Sequence, residues 1–164
     1  VTPSAQIRQF LAKYSPEIAS QLQAAREHLK THFPQGFELV YDNYNALVFG
    51  FAASEKASDA IVSVAGYPKW VTLFFFRGID LPDPTGILEG SGSQVRSVRL
   101  SPDSRLHDPA VQALIAAAKD ASAMLKSAPP LRTIVKSVSA RQRERRPSAA
   151  KKSARPAGPP GGRR

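Results

Sequence analysis

The sequence predicts a two-layer α+β domain followed by a basic, unstructured C-terminal tail, and three observations carry that prediction. The hydrophobic period is helical near both ends of the first 125 residues. Between those ends it alternates in short runs joined by hairpin-length turns, the pattern of a mainly antiparallel sheet. The charge is also split: residues 1–125 hold 11 Lys and Arg against 12 Asp and Glu, whereas residues 126–164 hold 12 against one. The net charge of +10 over 164 residues is therefore a property of the tail.

Each element follows in order. Ser4 is the expected cap of an opening helical segment, with Ile7, Phe10, Leu11 and Tyr14 at helical spacing. Ser15-Pro16 pairs a serine N-cap with proline at the first helical position, and starts a longer helix striped by Ile18, Leu22, Ala25 and Leu29. Pro34 and Gly36 end it. From residue 37 the pattern alternates, with Phe37, Leu39 and Tyr41 on one side and Glu38, Val40 and Asp42 on the other. Asp42-Asn43-Tyr44-Asn45 is turn chemistry, so residues 46–53 return as the hairpin partner. Residues 60–67 and 70–77 form a second hairpin about Pro68-Lys69. A Pro- and Gly-rich crossing then leads to a fifth strand at residues 95–100. Asp108-Pro109 opens a last helix on Val111, Leu114, Ile115, Ala118 and Leu125. About five strands with the N- and C-terminal helices on one face are expected.

The domain is placed at residues 1–126 and the tail at 127–164. Past Pro129-Pro130, the apolar residues Leu131, Ile134, Val135 and Val138 fit a helical turn or an edge segment. Beyond residue 140 no aliphatic side chain exceeds alanine, so little can offset the entropy of ordering. Cysteine is absent, which removes disulfides, thiolate metal sites and a cysteine nucleophile. No run approaches a membrane span of about 20 residues, and a cytoplasmic bacterial protein is expected.

The stretches FLAKYSPEIASQLQAAREHL, VYDNYNALVFGF and LPDPTGILEGSGSQVRSVRL resemble the YdhG-like family, domain of unknown function 1801, over about residues 6–125. The resemblance implies a frataxin-like two-layer fold. It also raises iron as a cofactor, because a bacterial member of the wider family is regarded as a frataxin-like iron chaperone. It transfers no metal ligand: Glu17 and Glu27 on the long helix are balanced by Arg26 and Lys30, where frataxins carry an acidic ridge.

His28 and His32 stand one helical turn apart, a spacing that can share a metal, but no third ligand is evident and no metal site is assigned. Gly90-Ser91-Gly92-Ser93 with Arg96 and Arg99 has the chemistry of an anion cradle, yet leads into a strand, and the phosphate-loop fingerprints need a helix there. Leu39, Leu47, Phe49, Leu73, Phe75, Val98 and Leu100 are placed on the helix side of the sheet. Val48, Gly50, Thr72, Phe74, Phe76, Ser97 and Arg99 are placed opposite. The candidate ligand or partner face is thus Phe74, Phe76, Arg99 and Arg96, with Asp42 and Tyr44 at its margin, unless the crossing and the residues after Pro129 cover it. The tail supplies a nonspecific polyanion or nucleic-acid contact through Arg141, Arg143, Arg145, Arg146, Lys151, Lys152 and Arg155. No nucleophile elbow or paired-carboxylate pattern suggests an enzyme. The expected function is a binding or accessory domain with a basic tail, the alternative being iron handling.

Overall fold

The computed structural model describes residues 1–101 and 104–147. Two helices open the chain, α1 (Pro3–Leu11) and α2 (Pro16–His32). Thr2, rather than Ser4, caps α1 by accepting from the Ala5 N–H, because proline at the next position is already the first helical residue. Ser15 caps α2 in the same way. Five strands follow: β1 (Phe37–Asp42), β2 (Leu47–Ala52), β3 (Ala60–Gly66), β4 (Val71–Phe75) and β5 (Arg96–Arg99). Then come α3 (Pro109–Asp120) and a sixth strand, β6 (Arg132–Val138).

The sheet order is β5-β4-β3-β2-β1-β6, antiparallel throughout except that β6 runs parallel to β1. The protein is therefore α+β with a mixed six-stranded sheet, and the sheet continues past the boundary expected at residue 126. The segment after Pro129 is the edge strand that its apolar residues allowed. Its start is fastened to the turn after α2, where Leu131 N–H donates to Pro34 O and Gly36 N–H donates to Pro129 O at 2.7 Å. Gly36 has φ +98°, and a side chain there would come within 2.3 Å of Ala52 O, so this turn needs glycine.

One continuous core joins the helices to one sheet face: Ile7, Phe10, Tyr14, Ile18, Leu22 and Leu29 meet Val40, Leu47, Phe49, Val64, Leu73 and Val98. β1 corrects the expected facing. Leu39 pairs with Gly50, and Val40 with Phe49, so Leu39 lies on the face away from the helices. The helix side of β1 carries Glu38, Val40 and Asp42, with both carboxylates fully buried. A buried carboxylate persists only when paired and hydrogen-bonded. Glu38 takes a bidentate pair from Arg26 of α2, at 2.6 and 3.0 Å, and a third hydrogen bond from Thr133 of β6 at 2.7 Å. The polar residues of β1 thus tie the helix layer and the edge strand together.

Among the described residues no helix is long and apolar enough to cross a membrane.

Candidate functional site

The second buried carboxylate organises the most elaborate polar site in the described chain. Asp42 ends β1 beneath the β1–β2 turn, facing the end of α1. Lys13 reaches it at 2.6 Å, and the guanidinium of Arg145 reaches its other oxygen at 3.0 Å. Arg145 is itself buried and also donates to the Tyr14 hydroxyl at 2.8 Å and to Asn43 O. Tyr14 Oη accepts from Leu47 N–H at 2.9 Å and donates to Gly66 O at 2.6 Å. One phenol thereby links the turn between α1 and α2 to β2, β3 and the C-terminal segment. Burial raises its pKa above the usual tyrosine value, partly offset by the hydrogen bond from Leu47 and the charge of Arg145.

The chain reaches this site because β6 runs parallel to β1 and delivers residue 139 beside the turn. Ser139 N–H donates to Asp42 O at 2.8 Å, and Arg143 N–H donates to Tyr44 O at 2.9 Å. Gln142 bridges Asp42 O and Lys13 Nζ. Arg146 donates to Ala12 O and Lys13 O, the carbonyls left open where α1 ends. Arg141 and Arg143 place their guanidinium groups 6.0 and 5.6 Å from the Tyr44 ring centroid. Residues 139–147 are thus an ordered strap pinned by Arg145.

This divides the cations expected in a free tail. Arg145 is corrected from a polyanion contact to a buried structural ion, because its charge is spent on Asp42. Arg141, Arg143 and Arg146 are exposed. Lys151, Lys152 and Arg155 lie outside the described residues. Asp42 is likewise corrected: it faces the helix layer and belongs to no open sheet surface. Tyr44, 41% exposed at the turn, joins the arginines instead of the sheet face.

On the face away from the helices the structure brings together Phe74, Thr72, Ser97 and Arg99, and adds Trp70, over which the Arg99 guanidinium stacks at 4.2 Å. Phe76 lies just past β4, half-buried. Leu81, Ile87 and Leu88 of the crossing pack against the helix-side core, and Glu89 pairs with Ser97 beside the β5 edge, while Leu39, Ser63, Ala65 and Thr72 of this face are buried. Arg96 stands opposite Phe75, on the other face, and its guanidinium bonds to Gly92 O and Val95 O. The glycine-serine loop is therefore closed by its own arginine, which accounts for the residues that had suggested an anion cradle.

Two further groupings had no signal in local sequence. A cavity of about 380 Å³ lies between the ends of β3 and β4 and the C-terminal end of α3, lined by Ile61, Phe75, Leu81, Ala118 and Met124, with the Arg77–Asp80 ion pair and Asp59 among its polar groups. His107 joins His28 and His32, with ring centroids 5.0 and 4.8 Å from His28, while His28 Nε2 lies 2.8 Å from the Gln112 side-chain oxygen. Burial, and then the neighbouring His28, lowers the His32 pKa below the ordinary histidine value. Among the described residues no group of three or more His, Asp or Glu side chains is placed to hold a metal ion.

Comparison with known proteins adds no relative: no family model matches the chain, and neither curated proteins nor solved structures yield a match.

Proposed function

We propose that the chain is a cytoplasmic, non-enzymatic binding or accessory domain of the YdhG-like, frataxin-like kind, which contacts polyanions through its C-terminal arginines without reading sequence. The observation that carries this reading is the strap: Arg145 is buried and pinned, while Arg141, Arg143 and Arg146 are held exposed on one side of the domain. Fixing cations before binding lowers the entropy lost on contact. In residues 1–125 Lys and Arg are slightly outnumbered by Asp and Glu, 11 to 12. Phosphate contacts of this kind position a ligand but carry no base readout. Binding of the full chain to a duplex of arbitrary sequence should weaken steeply with salt, by about 10³–10⁵ between 50 and 200 mM if 6–10 phosphates are neutralised. Salt-independent binding, or none at low salt, would overturn the reading.

The alternative of iron handling draws less support, because Glu38 and Asp42 are already committed to Arg26, Lys13 and Arg145. A second reading has its own observation. The cavity beside α3 is of ligand size, with an apolar lining and the Arg77–Asp80 pair, and suits a small, largely apolar molecule with one polar end. A protein partner on the face of Phe74, Trp70 and Arg99 is compatible with either reading.

A further inference from the structure

We infer that the strap and the β1–β2 turn together form a contact for single-stranded nucleic acid, with Tyr44 as the platform on which an unpaired base stacks. This rests on the polyanion reading above and narrows it to one class of ligand.

Electrostatics alone would treat single strands, duplexes and other polyanions by charge density. What changes this is the aromatic ring that the fold places among the cations. The strap holds no aromatic residue, so its sequence suggests contact through phosphates only. Folding back beside β1 brings Arg141 and Arg143 to the ring of Tyr44, a residue nearly 100 positions earlier. Tyr44 as a residue is 41% exposed although two guanidinium groups adjoin its ring. Nearby, Lys13 and Arg146 border a shallow groove of about 330 Å³ together with Arg145, Glu144 and Pro147. Lys13 keeps 39% of its side chain exposed while paired with Asp42.

An exposed aromatic ring flanked by guanidinium groups, with further cations a few residues along, is the arrangement that accepts an unpaired base on the ring and the adjoining phosphates on the cations. A duplex keeps its bases stacked on one another and cannot use the ring. Hydrogen bonds from Ser139, Gln142 and Arg143 to the β1–β2 turn hold the strap, so ring and cations are set before the ligand arrives.

The test uses the full chain and three probes at equal salt: a single-stranded oligothymidine, a duplex of the same length, and heparin as a polyanion without bases. The oligothymidine should bind more tightly than the duplex. Tyr44→Ala should weaken oligothymidine binding by about 5- to 100-fold, the loss of one stacked base, and leave duplex and heparin binding unchanged. Tyr44→Phe should retain the wild-type preference, because the ring remains. Thermal unfolding of both variants should match the wild type, since the side chain lies at an exposed turn. Equal binding of all three probes with no effect of Tyr44→Ala would overturn the inference and leave the polyanion reading intact. So would an equal loss on all three probes, which would make Tyr44 a support for the arginines. Failure of every probe to bind at low salt would overturn both.

Discussion

At the scale of residues, the structure turns on charges that local pattern reading assigns to solvent. Phe37, Leu39 and Tyr41 are the more apolar side of β1, and alternation alone directs them to the core. Glu38 and Asp42 take the helix side instead because each meets a cation that sequence proximity does not reveal, Arg26 at 12 residues and Arg145 at 103. Replacing Arg145 by alanine should cost about 3 kcal/mol, the low end for breaking a buried pair, because Lys13 still neutralises Asp42. Denaturant unfolding measures it; no change in midpoint would mean that the strap is dispensable. Tyr14→Phe should cost about 1–3 kcal/mol for each of the groups it leaves unpaired among Leu47 N–H, Gly66 O and Arg145. His32 gives a pH dependence whose sign follows from its lowered pKa. His32 is harder to protonate in the folded chain than in the unfolded one, so the unfolded state binds more protons below about pH 6.5. Stability should be full above that pH and fall as the pH drops through it. His32→Gln should flatten the acid limb of a stability–pH curve, and an unaltered limb would assign it to other groups.

At the scale of elements, the helices and the first five strands were legible because their signals are local. Ser15-Pro16, the i, i+4 stripe of α2 and the turn residues between alternating runs each act within a few positions. β6 was legible only as an apolar patch. It follows two prolines, is partly exposed as an edge strand, and gains its place by parallel pairing with β1 across the whole domain. Its contribution includes Thr133 to Glu38 and the covered edge of β1. A chain ending at residue 130 should accordingly lose cooperative unfolding or show a markedly lower midpoint, whereas one ending at Pro147 should unfold as the full chain does. Equal midpoints for the two truncations would show that β6 adds little.

For the whole molecule, the charge split was legible from composition, but not how the basic region divides. Its first part completes the sheet, its middle is a strap pinned by one buried arginine, and of the exposed arginines Arg141 and Arg143 flank Tyr44 while Arg146 bonds at the end of α1. Sequence assigned all these arginines one role because composition has no geometry. The central claim is that the exposed arginines make a preset polyanion contact while Arg145 only anchors them. The most direct measurement is duplex binding across salt for the full chain and for the variant Arg141→Ala, Arg143→Ala and Arg146→Ala combined, which leaves Arg145 in place. The account predicts a cooperative unfolding transition lowered only by the loss of the Arg146 bonds to Ala12 O and Lys13 O, weaker binding at every salt concentration, and a log–log salt slope shallower by about two to three. A variant that kept the affinity and slope of the full chain would contradict it.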